Sequence, residues 1–327
     1  MVSYMSQYSI AYLAYFVTIK TMAKLKSELT WSYSRDRLFK ECKRAYYYHY
    51  YASWGGWDKS ADEFTKKAYI LKNMRNIDIW VGDIIHQIIK WILESKISAD
   101  KDLFRKDNGI SYDDAAKKAK QLLMKTWEQS RSQAWRQNVK NNLNLFEHYY
   151  GPEPTREELS LKLQKVTKSL SNFYSLKLLD EISKLSKENF LGIDMLDSFD
   201  FEGTKIFAVP DFAILNSDYL LYDWKTGRIT EKDILQLSCY ALYASTKWGA
   251  KKEKIKIFPV YLSQEVGKIL EVECIEVEKV KEYIRQSLNE MKYVLSDLKN
   301  NQADIGLCQK TTDTRRCQRC KFQEICT

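Results

Sequence analysis

The sequence predicts an α/β protein in which an α/β core follows a long, mostly helical first half. Apolar residues recur at helical spacing as far as about residue 187, and short apolar or alternating runs interleaved with helices begin at residue 190. Composition agrees, because 45% apolar residues can form a buried core, whereas 11 Gly and 4 Pro are few for a turn-dense β-sandwich. The length of 327 residues suits two domains, or one core with a large insertion.

The first predicted helix begins at Ser34, a residue type that suits an N-cap, and ends at the pair Gly55-Gly56. Its apolar stripe includes Cys42, which predicts that this cysteine faces the interior. The pattern from residue 62 to about 187 is mostly helical. One apolar helix in this region must be buried, since it carries Ile79, Trp80, Ile84, Ile85, Ile88, Ile89 and Ile92.

A loop at Gly151–Pro154 interrupts the helical half, and Thr155 with Glu158 predicts a capping box for the next helix. The second half has the predicted order β-β-β-α-β-β-α. The strands are Phe190–Phe199, Lys205–Leu215, Tyr219–Trp224, Lys254–Leu262 and Lys268–Val277, and the helices are Glu231–Trp248 and Glu278–Leu298. A hairpin turn near Gly203 joins the first two strands.

The net charge favours a protein with an anionic partner, and the cysteine content argues against a secreted, disulfide-bonded protein. The chain has 52 Lys and Arg against 43 Asp and Glu, a net charge of +9, which suits a polyanionic partner, although a basic surface also serves solubility. Seven cysteines in a chain this long do not resemble a secreted disulfide framework. The apolar run Ile10–Ile19 is too short to span a bilayer, and no Lys or Arg precedes it. We therefore expect a cytoplasmic protein without membrane contact.

Two acids and a lysine fall at the ends of neighbouring predicted strands. Val209-Pro210-Asp211 ends one stretch and Asp223-Trp224-Lys225 ends the next. Residues two apart in a strand share a face, so Asp223 and Lys225 project together, and a hairpin brings Asp211 near them. Two carboxylates in one cleft repel, and Mg²⁺ or Mn²⁺ relieves that repulsion. The alternative is a pair of solvated surface acids beside a solvated lysine.

Two further sequence patterns indicate a functional site only in combination with these acids and the lysine. His86 lies in the most apolar predicted helix, where a lone histidine is commonly a core residue. Gln236 and Tyr240 are four residues apart, on one face of the helix that follows the Asp223 strand. Each pattern alone is compatible with ordinary packing.

The C-terminal cysteines have the spacing of metal or cluster ligands. Cys317, Cys320 and Cys326 form a C-x2-C-x5-C pattern in a short segment with little core. A fourth thiolate must come from Cys42 or Cys308, and local spacing alone favours Cys308. Four thiolates suit either zinc or an iron–sulfur cluster.

The sequences GDIIH, VPD, YDWKTG and QLSCY, in this order, resemble the RecB-type branch of the PD-(D/E)XK nuclease superfamily. That branch carries G-x-x-x-H, P-D, D-x-K and Q-x-x-x-Y motifs, and the resemblance spans about Ser34 to Cys326. It implies a restriction-endonuclease-like mixed-sheet core with a large helical insertion and a C-terminal cysteine tail. The implied organisation is an extension over 1–30, a cysteine-bearing helix over 31–60, a helical region over 61–189, a nuclease core over 190–300 and a cysteine tail over 301–327.

The resemblance also assigns roles to residues. The implied ligands of a Mg²⁺ or Mn²⁺ ion are His86, Asp211, Asp223 and the main-chain carbonyl of Trp224. The implied catalytic set is Lys225 as the catalytic lysine with Asp211 and Asp223, and Gln236 and Tyr240 supporting the site or touching DNA.

The cysteine pattern resembles iron–sulfur nucleases, namely the AddB nuclease domain and the CRISPR-associated Cas exonucleases of spacer adaptation. The segment CKRAYYYHYY resembles their C-P-R-x-Y-Y pattern, with Lys43 in the usual place of proline. The resemblance implies a [4Fe–4S] cluster on Cys42, Cys317, Cys320 and Cys326. It leaves Cys308, Cys239 and Cys274 unligated.

We therefore expect a metal-dependent deoxyribonuclease, an exonuclease that prefers single-stranded or frayed DNA ends. The alternative is a DNA-binding or processing subunit of a larger repair, recombination or CRISPR-adaptation machine with little free activity. RNA cleavage is a third, less favoured alternative. The sequence has no G-x4-G-K-[ST] P-loop, so a helicase partner would have to supply unwinding. The resemblance to the adaptation exonucleases implies an integrase as the other kind of partner.

Overall fold

A computed structural model describes residues 27–98, 109–228, 233–264, 268–271 and 276–326. The apolar run Ile10–Ile19 and Cys274 lie outside these residues, as does most of the predicted extension over 1–30. Within the described ranges, no helix combines the length and the apolar character that a bilayer crossing requires.

The chain begins with a short strand and a broken helix: β1 (Thr30–Ser32), α1 (Tyr33–Glu41), α2 (Lys43–Tyr47) and a π-helical turn (Tyr48–Ala52). The N-cap is Ser32, not the predicted Ser34, and its hydroxyl accepts the amide hydrogen of Arg35 at 3.1 Å. The predicted single helix is interrupted at Cys42, whose extended backbone ends α1 and whose sulfur caps α2. Because of this break Cys42 is half-buried and does not lie on a continuous apolar stripe.

The helical region consists of α3 (Glu63–Lys72), α4 (Ile77–Ser98), α5 (Tyr112–Arg131), α6 (Phe146–Tyr150), α7 (Arg156–Ser175) and α8 (Leu178–Ile182). Thr155 and Glu158 form the predicted capping box at the start of α7. As predicted, α4 is buried along most of its apolar face, but Ile79, which was expected in the core, is 49% exposed.

The strands of the second half are β2 (Phe190–Ile193), β3 (Phe199–Phe201), β4 (Thr204–Phe207), β5 (Phe212–Asn216), β6 (Asp218–Lys225), β7 (Ile255–Tyr261) and β8 (Lys268–Ile269). The main sheet has the order β2-β5-β6-β7-β8, and its β6–β7 pair is parallel while the other pairs are antiparallel. A smaller sheet has the order β1-β4-β3, with β1 parallel to β4.

The remaining elements are α9 (Asp233–Trp248), α10 (Val277–Lys292), β9 (Leu295–Asp297), β10 (Gln302–Ala303) and α11 (Thr314–Gln318). The predicted helix Glu278–Leu298 is therefore too long, since β9 begins at Leu295 and pairs with β10. The predicted strand Lys205–Leu215 is two strands in different sheets. Pro210 lies between them, and it has no amide hydrogen to offer a ladder.

Apolar residues fill both faces of the main sheet. Leu221 on one face joins a core with α9 and α10, whereas Tyr222 and Trp224 on the other join a core with α4, α5 and α7. This alternation places Asp223 and Lys225 on the α9 side of β6. The end of β6 is therefore enclosed between α4 and α9.

Candidate active site

The β5–β6 hairpin brings the two predicted carboxylates together. Its register pairs Phe212 with Tyr222, so Asp211, which directly precedes β5, lies level with Asp223. The Oδ2 of Asp211 accepts the main-chain N–H of Trp224 at 2.7 Å. Asp211 thus stands before a strand, not at the end of one as predicted, yet the expected proximity is present.

Four side chains form a closed ring on the α9 side of β6. Lys225 Nζ lies 2.7 Å from Asp223 Oδ2 and donates to Gln236 Oε1 at 3.0 Å. The Nε2 of Gln236 donates to the hydroxyl of Tyr240 at 2.8 Å, and that hydroxyl donates to Asp223 Oδ1 at 2.8 Å. Because Gln236 and Tyr240 are one helical turn apart, Gln236 can contact Lys225 while Tyr240 contacts Asp223.

His86 approaches the same strand end from α4. Its Nε2 lies 2.9 Å from the carbonyl oxygen of Trp224, and its Nδ1 lies 3.6 Å from Asp211 Oδ1. Burial lowers the pKa of His86, but the hydrogen bond and charge of Asp211, with the charge of Asp223, outweigh it and raise that pKa to about 9. The imidazole therefore lies in a strongly negative environment.

The electrostatics of Asp223 favour a bound cation. Only 3% of this residue is exposed. Burial and then the charge of Asp211 raise the pKa of its carboxyl group, against the opposing effect of Lys225. Its Oδ2 pairs electrostatically with Lys225 but accepts no well-oriented hydrogen bond from a described residue. A further positive charge at this oxygen would remove the cost of ionising both acids.

The donor types also fit a hard divalent cation. Carboxylate oxygens, one carbonyl oxygen and one imidazole nitrogen converge at the end of β6, and such oxygen-rich sets suit Mg²⁺ or Mn²⁺. Among the described residues, however, no three His, Cys, Asp or Glu side chains are already arranged to hold a metal ion. The structure therefore brings the predicted ligands into contact with one another without preforming a coordination geometry.

Two further acids lie near the site and were not predicted from the sequence. Asp233 Oδ1 lies 4.0 Å from Lys225 Nζ, and Asp233 Oδ2 accepts a hydrogen bond from Tyr261 at 3.3 Å. Asp83 lies three residues before His86 and pairs with Arg75 at 3.4 Å, and burial raises the pKa of its carboxyl group. Helical spacing could have predicted both positions, because Asp83 lies three residues before His86 and Asp233 lies three residues before Gln236.

Comparison with known families decides the identity. Residues 30–327 match the family described as the PD-(D/E)XK nuclease superfamily. The chain belongs to the PD-(D/E)XK nuclease superfamily. No curated protein matches it. Among solved structures, the crystal structure of SSO0001 matches with 15% sequence identity and a TM-score of 0.28, covering 73% of this chain and 96% of that chain.

Membership of the PD-(D/E)XK superfamily confirms the predicted α/β fold class and implies a divalent-metal nuclease with a nucleic-acid substrate. The individual roles of the site residues stay predictions. The same holds for the iron–sulfur cluster and the resemblance to AddB and the CRISPR-associated exonucleases, since the family match does not extend to them.

The cysteine segments of this PD-(D/E)XK chain lie close together. A small apolar cluster of Ala45, Tyr48, Leu71, Met74 and Phe322 is flanked by Cys42, Cys320 and Cys326. The hydroxyl of Tyr48 donates to the carbonyl oxygen of Ile325 at 2.9 Å and so ties the N-terminal helices to the tail. Cys317 is exposed, while Cys308 and Cys239 are buried.

The thiols influence one another's ionisation. Burial raises the pKa of Cys320, and the charges of Cys42, Cys326 and Cys317 raise it further, although the N–H of Phe322 opposes this. Burial likewise raises the pKa of Cys308, to about 11. The thiol of Cys320 therefore lies near those of Cys42, Cys326 and Cys317, but among the described residues no three cysteines are already arranged to hold a metal centre.

Proposed function

We propose that this nuclease is a Mg²⁺- or Mn²⁺-dependent DNA exonuclease acting on single-stranded or frayed ends. The observation that carries the catalytic part is the convergence of Asp211, buried Asp223 and Lys225 at one strand end. A module that only binds DNA gains nothing from repelling, buried carboxylates. The preference for single strands and ends rests on the resemblance to the RecB-type branch.

In this proposal the metal ligands are His86, Asp211, Asp223 and the carbonyl oxygen of Trp224. A bound Mg²⁺ or Mn²⁺ would neutralise charge on the scissile phosphate and lower the pKa of a water molecule. Lys225 orients that water for in-line attack on the phosphorus, while Gln236 and Tyr240 hold the Lys225–Asp223 pair in place. Preorganised donors of this kind stabilise the charge that develops on the phosphate.

The test compares Asp223→Asn with Asp218→Asn on end-labelled single- and double-stranded DNA, with and without Mn²⁺. Asp218 is a matched control, since it lies on the same strand but pairs with Lys254 at the far end, at 3.0 Å. We expect Mn²⁺-dependent release of nucleotides from single strands, lost in Asp223→Asn and kept in Asp218→Asn. Equal cleavage by both variants contradicts the proposed site. Absence of cleavage by the wild-type protein favours the alternative, a DNA-binding or processing subunit.

We also propose that Cys42, Cys317, Cys320 and Cys326 hold a [4Fe–4S] cluster. The packing of Cys42, Cys320 and Cys326 around one apolar cluster and the C-x2-C-x5-C spacing that adds Cys317 support this, and such a cluster would join the first helices to the tail. Anaerobic purification should give about four iron atoms per chain and broad absorption at ~400 nm.

The variant Cys320→Ser should lose both the iron and the absorption, while Cys308→Ser keeps them. A colourless protein with one zinc ion per chain contradicts the cluster, and iron loss in Cys308→Ser contradicts the ligand set.

We also propose a cytoplasmic location, because seven cysteines in a chain of this length do not resemble a secreted disulfide framework. A helicase partner would supply any strand separation, and an integrase would be the partner in an adaptation pathway.

A further inference from the structure

A basic groove opens directly beside the candidate active site. Its volume is about 510 Å³, and it lies between α7 and two short segments, 226–228 after β6 and 263–264 after β7. Charged and polar residues line this groove, among them Lys165, Lys168, Thr226, Arg228, Ser263 and Gln264. Thr226 follows Lys225 in the chain, so the groove begins one residue from the predicted catalytic lysine.

The walls of the groove are fixed by hydrogen bonds. Asn172 on α7 donates from Nδ2 to the carbonyl oxygens of Leu262 and Gln264, at 2.8 and 3.0 Å. The hydroxyl of Ser263 donates to the carbonyl oxygen of Thr226 at 3.0 Å. These hydrogen bonds join α7 to the described residues that follow β6 and β7, and a preorganised surface of this kind limits the entropy lost on binding.

Helix α4 approaches one groove residue, Thr226, at Gly82. A Cβ atom added to Gly82 would lie 3.2 Å from the hydroxyl oxygen of Thr226, so glycine permits this close approach. His86 lies one helical turn further along the same face of α4. Thr226 therefore connects the groove to the turn of α4 that precedes the candidate metal ligand His86.

The groove carries positive charge that the described residues do not neutralise. Asp78, the acid that acts on Lys165, is already paired with Lys162 at 2.6 Å. Within the described ranges, none of Lys165, Lys168 and Arg228 forms an ion pair. Lys165 is nevertheless half-buried, and burial lowers the pKa of its ammonium group. These three cations can therefore contact an external anion such as a phosphate without breaking an ion pair to a described residue.

We propose that this groove binds the sugar-phosphate backbone of the single DNA strand next to the scissile phosphate, with Lys165, Lys168 and Arg228 as the phosphate contacts. The proposal rests on the proposed function and deepens it. These three residues position the strand and take no part in the chemical step. Three separate cations along one groove match successive phosphates of a strand better than one small anion.

Salt dependence of binding is the test, because each phosphate contact to a single strand contributes about 0.7 to the slope of log K against log salt. Binding of a labelled single-stranded oligonucleotide is measured in EDTA, so that cleavage does not interfere. The variant Lys165→Gln, Lys168→Gln, Arg228→Gln should bind at least about tenfold more weakly at low salt, with a slope shallower by about 2. The control is Lys251→Gln, Lys279→Gln, Lys299→Gln, which removes the same charge from exposed positions outside the groove.

An unchanged slope in the groove variant, or an equal change in the control, overturns the proposal. Tighter binding of an RNA strand of the same sequence overturns the assignment to DNA. If the triple variant does not fold, as judged by circular dichroism, Lys168→Gln and Arg228→Gln are measured singly, since both side chains are exposed. Each should reduce the slope by about 0.7. Because the assay needs no cleavage, an inactive wild-type enzyme would contradict the proposed function while this test still decides the groove.

Discussion

His86 and Trp224, which are 138 residues apart in sequence, meet at 2.9 Å between an imidazole nitrogen and a main-chain carbonyl oxygen. This contact joins the helical region to the end of β6, where Asp211 accepts the N–H of the same Trp224. The backbone of one residue therefore organises side chains from two separate parts of the chain. His86 and Asp211 are therefore connected through the backbone of Trp224, so we expect substitutions at the site to affect cleavage.

Tyr240→Phe should slow cleavage by about ten- to a hundredfold with little change in DNA affinity. The lost hydroxyl holds Asp223 and receives the Gln236 amide, and a hydrogen bond to a charged group contributes about 1.5–3 kcal/mol. Single-turnover rates on end-labelled DNA measure the effect. Tyr243→Phe is the control, because its hydroxyl also donates to an aspartate, Asp197, but away from the site. A wild-type rate in Tyr240→Phe would show that the ring does not position Asp223.

His86→Ala should raise the Mn²⁺ concentration needed for half-maximal cleavage by at least about tenfold, because an imidazole donor is lost beside two acids. The measurement is the cleavage rate over a series of Mn²⁺ concentrations. His148→Ala serves as the control, since His148 contacts Ser130 in the helical region. An unchanged Mn²⁺ requirement in His86→Ala would remove this residue from the ligand set.

Ser287→Ala should destabilise the protein by about 1–3 kcal/mol. The hydroxyl of Ser287 accepts the indole N–H of Trp31 at 2.8 Å and donates to Asp36, and all three residues are buried. Its removal leaves a buried donor and a buried carboxylate short of a partner. Urea denaturation followed by circular dichroism gives the free energy of unfolding. The exposed Ser296→Ala should change it by less than about 0.5 kcal/mol, and an equal effect of both would disprove the expectation.

Asp197 should give a pH-dependent contribution to stability. The hydrogen bond from Tyr243, followed by that from Lys247, lowers the pKa of its carboxyl group below the usual 3.8. Since the folded state has the lower pKa, the contribution is complete above 3.8 and is lost as pH falls through the folded pKa. Asp197→Asn should therefore cost less than about 1 kcal/mol at neutral pH, and that difference should disappear in acid. A difference that grew on acidification would contradict this.

Sequence patterns predicted the local parts of the site. Hairpin geometry placed Asp211 beside Asp223, strand periodicity placed Lys225 with Asp223, and helical spacing paired Gln236 with Tyr240. Each of these relationships depends on residues close in sequence, where backbone geometry is nearly fixed by the type of element.

Relationships between distant segments were not predictable from spacing. Nothing local indicates that His86 contacts Trp224, and only the resemblance to known nucleases suggested it. Strand β1 has three residues and gains its partner β4 from 175 positions further along the chain, so it shows no periodicity to detect. The break at Cys42 is similar, because helix propensity continues through it while the capping geometry does not.

The pairing of β1 with β4 and the contact of Tyr48 with the tail also bear on how quickly the chain folds. Trp31 reaches Ser287 across 256 positions, and Tyr48 reaches Ile325 across 277. Closing loops of that length costs entropy before any contact compensates for it, which slows folding. We therefore expect the first helices and the cysteine tail to be among the last parts to acquire their native partners, with the small apolar cluster around Phe322 exposed until then.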